Sequence, residues 1–225
     1  MRKFFRTFSI HTKMMDPKKE EFEAQLISLE EAYEAALKLH EKIHGAALDF
    51  DLVVAIARGG FPPARFLCDF LNIKQLFSIQ IKHYGGGAEQ QENAEVLNSN
   101  TGPIENKKVL LVDDVNDTGK SLETAFRELE KSRPLLLKTA VLHEKENTEF
   151  KADFVGESFR KWKWLIYQWA ASEDIIEFLK KGDMLTANPL SAGEFLEKEY
   201  NLRLDKQLLE KIMGLKSNYQ KNSGS

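Results

Sequence analysis

A single cysteine, Cys68, stands in the whole chain, so no internal disulfide can form and no cysteine-rich zinc site can be built. Long apolar runs are missing as well: the longest, Leu52 to Ala57, is far too short to span a bilayer. Charge of one sign is absent too. Lys and Arg number 32 against 35 Asp and Glu, and a net charge of −3 gives no field that would draw nucleic acid or an anionic membrane. There is no internal repeat. What is present is 225 residues, 42% hydrophobic and 30% charged, which suits one ordinary domain with a real core and an appendage. Together these features point to a reduced, soluble, cytoplasmic protein.

Residues 1–20 read as an N-terminal extension. Met1 to Lys13 is basic, aromatic and free of acids, faintly like a transit peptide, but Lys3, Arg6 and Lys13 interrupt any secretory apolar stretch. Met14 or Met15 could equally serve as the start.

From Glu21 onward the hydrophobic period alternates between helix and strand. Ser28 and Glu31 form a capping box ahead of a helix that Gly45 ends. Leu52 to Ala57 reads as a strand covered on both faces, and Pro62-Pro63 opens a second helix through Leu71. Gln75 to Lys82 alternates as a strand, after which the chain is polar and patternless to Asn106. Such a stretch reads as a functional lid or a floppy surface loop. Lys108 to Val112 is a third strand, followed by a helix from Gly119 to about Ser132. Leu135 to Leu142 is a fourth strand, while Phe154-Val155 and Trp164 to Tyr167 are weaker candidates. The alternation argues for an α/β fold, a mainly parallel twisted sheet flanked by helices, over residues 21–171. Residues 172–225 read as three amphipathic helices (Glu173–Lys181, Ala192–Tyr200 and Leu204–Met213) with a frayed polar end.

The chemistry concentrates where a hydrophobic strand runs into Asp113, Asp114, Asp117, Thr118, Gly119, Lys120 and Ser121. Ligands of open α/β sheets bind beyond the carboxyl ends of strands. Backbone N–H groups of Thr118 to Ser121, with a helix dipole behind them, make an anion site suited to phosphate. A nucleoside-triphosphate P-loop is excluded, because it needs glycine where Asp114 stands. A purely structural cap would explain Asp117 and leave the two adjacent acids without a reason.

This segment strongly resembles the phosphoribosyl-pyrophosphate (PRPP) motif of type I phosphoribosyltransferases, a resemblance that extends from about Gln25 to Ala171. It implies that Asp113 and Asp114 hold the ribose hydroxyls, directly or through Mg²⁺ carried by PRPP, with no other metal site. It further implies that Asp117 to Ser121 hold the 5′-phosphate and that Asp117 carries the proton at the base. Ala57, Arg58 and Gly59 resemble the pyrophosphate loop of the purine enzymes, and Lys82 and Tyr84 precede the position of the family's lid. Lys145 stands where 6-oxopurine enzymes keep a lysine facing O6. Trp164 and Leu165 resemble the base-binding segment, with Trp164 stacking and the Leu165 backbone on the base edge. Trp162 and Trp169 read as core filler, as buried aromatics usually are.

The preferred base is divided. Position 170 is alanine where the oxopurine group often has an acid, which would leave a buried guanine amino group unpaired at about 1–3 kcal/mol. Adenine lacks that group, and the helical tail resembles an archaeal adenine-using branch. Lys145 pulls toward an oxo group, because an ammonium only donates. The expectation is adenine by a thin margin, then hypoxanthine, guanine or xanthine, with Mg²⁺ as cofactor and a homodimer as the assembly the family implies. A pyrimidine or orotate acceptor fits Lys145 and the Trp164 segment less well. The rival of another class is a PRPP-sensing regulator using the tail as helix-turn-helix. From Asp183 to Ser225, however, six basic residues meet six acids, a poor footprint for DNA. His40 and His44 lie four apart with no third ligand evident, and Cys68 reads as core.

Overall fold

The computed structural model describes residues 22–83 and 94–220. In chain order the elements are β1 (Ala24–Ile27), α1 (Leu29–Gly45), β2 (Leu52–Ala57), α2 (Phe61–Phe70), β3 (Leu76–His83), β4 (Ala94–Asn100), β5 (Lys108–Asn116) and α3 (Lys120–Glu130). They continue with β6 (Leu136–Lys145), β7 (Phe154–Phe159), β8 (Trp164–Tyr167), α4 (Ala171–Lys181), α5 (Pro189–Tyr200), α6 (Lys206–Gly214) and α7 (Lys216–Gln220). The N-terminal extension, Tyr84 and Gly85 to Gly87 lie outside the described residues.

Six strands form one sheet in the order β4-β3-β2-β5-β6-β7, parallel except for the antiparallel β3–β4 pair. The strands β2 and β5 are central and apolar on both sides, so each serves two cores by alternation. Val53, Ala55, Leu110 and Val112 face α1 and α2, while Leu52, Val54, Ile56, Val109 and Leu111 face α3. Helix α1 starts with the expected capping box. The Ser28 side chain accepts from the Glu31 N–H at 3.1 Å, and the Glu31 carboxylate accepts from the Ser28 N–H at 2.8 Å.

Two strands appear that periodicity does not reveal. The polar stretch before Asn106 contains β4, an exposed edge strand whose AEVLNSN sequence buries little on either face. Strand β1, only four residues long, pairs in parallel with β8 to form a separate two-stranded sheet. Alternation on β8 then divides its side chains. Leu165 and Tyr167 join the main core, whereas Ile166 and Trp164 face α4, α5 and α6. The C-terminal helices therefore share a core with this small sheet, built around Phe178, Leu179, Ala192, Leu196, Leu209 and Ile212. Residues read as a frayed end include a fourth short helix, α7, whose Lys216 ammonium donates to the Leu185 carbonyl at 2.9 Å.

Because β2, β5 and β6 are parallel neighbours, their carboxyl ends finish on one edge of the sheet. Arg58, Asp117 and Lys145 follow or close those three strands, and the register brings them to that edge.

Candidate active site

Burial decides the chemistry of the two acids at the end of β5. Asp113 is 8% exposed, and burial followed by repulsion from Asp114 pushes its carboxyl well above the usual range. Asp114 is raised for the same first reason, against the pull of the Trp169 indole. That indole donates to Asp114 Oδ2 at 3.0 Å, and the Tyr167 hydroxyl donates to the Asp114 carbonyl at 3.0 Å. The Tyr167 oxygen also lies 2.7 Å from His143 Nδ1. Trp169 stacks on Tyr167 at 4.7 Å between ring centroids, so the acids rest on a wall of aromatic and imidazole rings.

After the acids the chain turns sharply. Gly119 caps α3 with φ at +94°, and a Cβ there would meet the Phe150 backbone nitrogen at 2.5 Å. The segment after β6 is thus laid directly over the turn. A buried network holds it there: the Asn116 amide donates to Glu144 Oε2 and to the Phe150 carbonyl, both at 2.8 Å. Glu144 Oε2 also accepts from the Ala152 N–H at 2.8 Å, and the Thr148 hydroxyl donates to Asn116 Oδ1 at 3.2 Å. Sequence pattern alone does not single out Asn116 and Glu144. Their positions at the ends of adjacent strands were the available signal.

Beside the turn lies a pocket of about 190 Å³, lined by Asp117, Thr118, Lys120, Lys145, Phe159 and Trp162 among others. The Lys145 ammonium, on a residue 5% exposed, sits 2.7 Å from Asp117 Oδ2. Burial draws this lysine below its ordinary range, while Asp117 holds it up. The same ammonium lies 4.5 Å from the centre of the Trp162 ring, and the Trp162 indole donates to Asp117 Oδ1 at 3.3 Å. Asp117, Lys145 and Trp162 thus form one mutually held cluster.

Across the sheet edge, the Arg58-Gly59-Gly60 turn approaches β5 closely. A Cβ on Gly59 would meet the Asp114 carboxylate at 2.3 Å, and one on Gly60 the Val112 carbonyl at 2.5 Å. The Ala57–Arg58 peptide is cis. Ala57 and Arg58 line a cleft of about 250 Å³ with Phe61, Ser78, Gln80, Asn98 and Asn100.

The buried acid pair, the glycine turn into a helix and the second glycine turn across one sheet edge all lie within a stretch that resembles known proteins. A model of the phosphoribosyl transferase domain covers residues 19–171. This chain belongs to the phosphoribosyltransferase family. It is 33% identical over 132 residues to a xanthine-guanine phosphoribosyltransferase of Ruegeria sp., which spans 56% of this chain and 71% of the relative. A hypoxanthine-guanine phosphoribosyltransferase of Aquifex aeolicus is 33% identical over 112 residues, 47% of this chain and 61% of that protein. The crystal structure of a purine phosphoribosyltransferase from Pyrococcus horikoshii superposes with a TM-score of 0.56 at 30% identity, covering 66% of this chain and 94% of the other. The chain is a purine phosphoribosyltransferase, with the type I fold and C-terminal helices added.

Within this phosphoribosyltransferase two tryptophans lie opposite to expectation: Trp162, and not Trp164, lines the pocket. Trp164 does not line the pocket: it stands 6.2 Å from Phe22, roughly parallel, and 6.5 Å from Phe178, in the core of the C-terminal helices. Strand parity is the reason, since Trp164 and Ile166 share the face opposite Leu165 and Tyr167. Trp162, just before β8, takes the place on the pocket wall, and Trp169 braces Asp114 rather than filling space alone. The Leu165 side chain is buried in the main core, and Leu165 stands opposite Gln25 of β1 in the register. The ladder bond to β1 is made by the neighbouring Trp164 N–H, which donates to the Glu23 carbonyl at 2.8 Å. Lys82 is exposed on β3, at the base of the β3–β4 hairpin.

Proposed function

We propose that this phosphoribosyltransferase acts on a 6-oxopurine, joining it to the ribose of PRPP with release of pyrophosphate. The observation that carries this reading is Lys145, a buried, donor-only side chain on the wall of a pocket shared with Asp117 and Trp162. An ammonium suits an acceptor such as O6 and has nothing to offer the exocyclic amine of adenine. The adenine expectation rested on the helical tail and on Ala170, which is the N-cap of α4 and brings no carboxylate. It gives way because a missing acceptor weakens guanine alone, whereas Lys145 selects for every 6-oxopurine. The relatives named for xanthine, hypoxanthine and guanine point the same way.

In this reading Trp162 stacks on the base, Lys145 donates to O6 and the Leu165 backbone meets the base edge. The Thr118 to Ser121 turn holds the 5′-phosphate, and Arg58 with Gly59 holds the pyrophosphate. Asp113 and Asp114, crowded and short of counter-charge, fit a divalent cation brought by the substrate; Mg²⁺ there would neutralise the departing pyrophosphate. As the ring nitrogen bonds the anomeric carbon, the bond to pyrophosphate breaks and a proton leaves the base. In this reading Asp117 carries that proton, and the Lys145 ammonium at 2.7 Å fixes its orientation.

The test offers adenine, hypoxanthine, guanine and xanthine separately with PRPP and Mg²⁺. IMP, GMP or XMP is expected. AMP as the sole product would overturn the 6-oxopurine reading. PRPP binding without any product would favour the sensing regulator, although the apolar faces of α5 and α6 are already spent on one another and on α4.

A further inference from the structure

Arg58 is where the C-terminal helices reach the pyrophosphate turn. Its Nη2 donates to both carboxylate oxygens of Glu173, at 2.9 and 2.8 Å. One carboxylate thus faces this end of the guanidinium with both of its oxygens. Yet Arg58 also lines the polar cleft of Ser78, Gln80, Asn98 and Asn100, where an anion would need those donors. The pair is open to solvent, with side chains 74% and 52% exposed, and exposed pairs are held weakly. Its surroundings are already acidic: Asp174, next in the chain, feels the negative charges of both Glu173 and Asp114. A phosphate group arriving at Arg58 therefore meets a competitor for the guanidinium.

We propose that Glu173 is a placeholder anion on Arg58. It holds the guanidinium in the ligand-free protein and must be displaced by the pyrophosphate group of the incoming substrate or product. The inference rests on the pyrophosphate reading of Arg58. It makes Glu173 a positioning residue that sets affinity for one half of the substrate and leaves the base half alone.

The experiment measures the KM for PRPP, the KM for the base and product inhibition by inorganic pyrophosphate. The variants are E173Q, R58Q and the double variant. E173Q should tighten pyrophosphate inhibition and lower the PRPP KM by about two- to fivefold with the KM for base unmoved, the scale of one exposed pair. In the R58Q background the same change should have no effect. Unchanged or weaker pyrophosphate affinity in E173Q overturns the placeholder role, as does tightening that persists without Arg58. If R58Q itself loses no affinity for PRPP or pyrophosphate, the reading of the turn falls instead, whatever E173Q does. E173D, which keeps the charge, should stay close to the unaltered protein.

Discussion

The proposed ribose-phosphate half of the site is one continuous segment, Asp113 to Ser121, in which strand end, acids, turn and helix start follow without a break. The base-facing half is assembled from Asp117, Lys145 and Trp162, which meet only after β6 returns beside β5 and the chain crosses to β8. The first half relies on backbone: N–H groups, a positive φ and close approach. The second relies on which side of a short strand a ring happens to fall. A backbone-built half fails abruptly when a Cβ is added, whereas a side-chain half fails by degrees and can lose function without losing fold.

The largest effect expected from this contrast is at Gly119. Gly119→Ala places a Cβ against the Phe150 nitrogen at a φ of +94°, so the turn must shift. We expect kcat/KM for PRPP to fall by about a hundredfold or more, as misplacement of binding groups by an ångström does. Circular dichroism should still show the folded sheet. Retention of activity within a factor of a few would mean that the turn is not the phosphate cradle.

Next comes the pair of tryptophans. Trp162→Ala should raise the KM for the base about tenfold, near the 1.4 kcal/mol that a lost ring contact supplies, with little change in Tm. Trp164→Ala should do the reverse, since it hollows the core against Phe22 and Phe178. A loss of about 2–3 kcal/mol would lower Tm by roughly 5–10 °C and leave the KM for base nearly intact. If instead Trp164→Ala destroys base binding in folded protein, the assignment of the two rings is reversed.

Those tryptophans also mark the boundary of what sequence reveals. The hydrophobic run into Asp113 and Asp114, the glycine turns, the capping box and the strand-helix alternation are local patterns and are all found where the sequence places them. Strand β4 escaped because an exposed edge strand carries no hydrophobic alternation to detect, and β1 because four residues give too short a period. The identity of the pocket ring escaped for a different reason. Trp162 and Trp164 are two apart and would share a face if the strand began earlier; the strand begins at Trp164, so Trp162 follows the loop instead. The Asn116–Glu144 network and the Arg58–Glu173 pair depend on tertiary neighbours and leave no trace in linear spacing.

A smaller effect separates the walls behind the two halves by pH. Burial lowers His143 to about 4, below the ordinary value for the free side chain. Between pH 6.5 and 4 the unfolded chain takes up a proton that the folded protein refuses, so stability is lost as pH falls through that window. The contribution is on the order of 3 kcal/mol, and His143→Asn should flatten the decline of Tm below pH 6.5. An identical slope in the variant would mean that His143 is protonated without harm, and that the wall behind Asp114 is looser than its 2.7 Å contact with Tyr167 implies.

A second pH effect, of opposite sign, tests the helical side. Asp174 is pushed to about 7, chiefly by burial, with Glu173 and Asp114 adding repulsion. Its sign is opposite to that of His143. From about pH 4 to 7 the folded protein keeps a proton that the unfolded chain has released, so stability falls as pH rises through this window. Above pH 7 the folded carboxyl ionises too, and the loss is complete. Asp174→Asn removes the penalty and keeps a side-chain acceptor beside the Trp164 indole, whose pull on the carboxylate opposes the rise. The variant should gain a few degrees of Tm over the unaltered protein at pH 8, with the gap closing toward pH 4. A gap of constant size would trace the gain to packing alone, and would remove charge as the link between α4 and the acids of the ribose half.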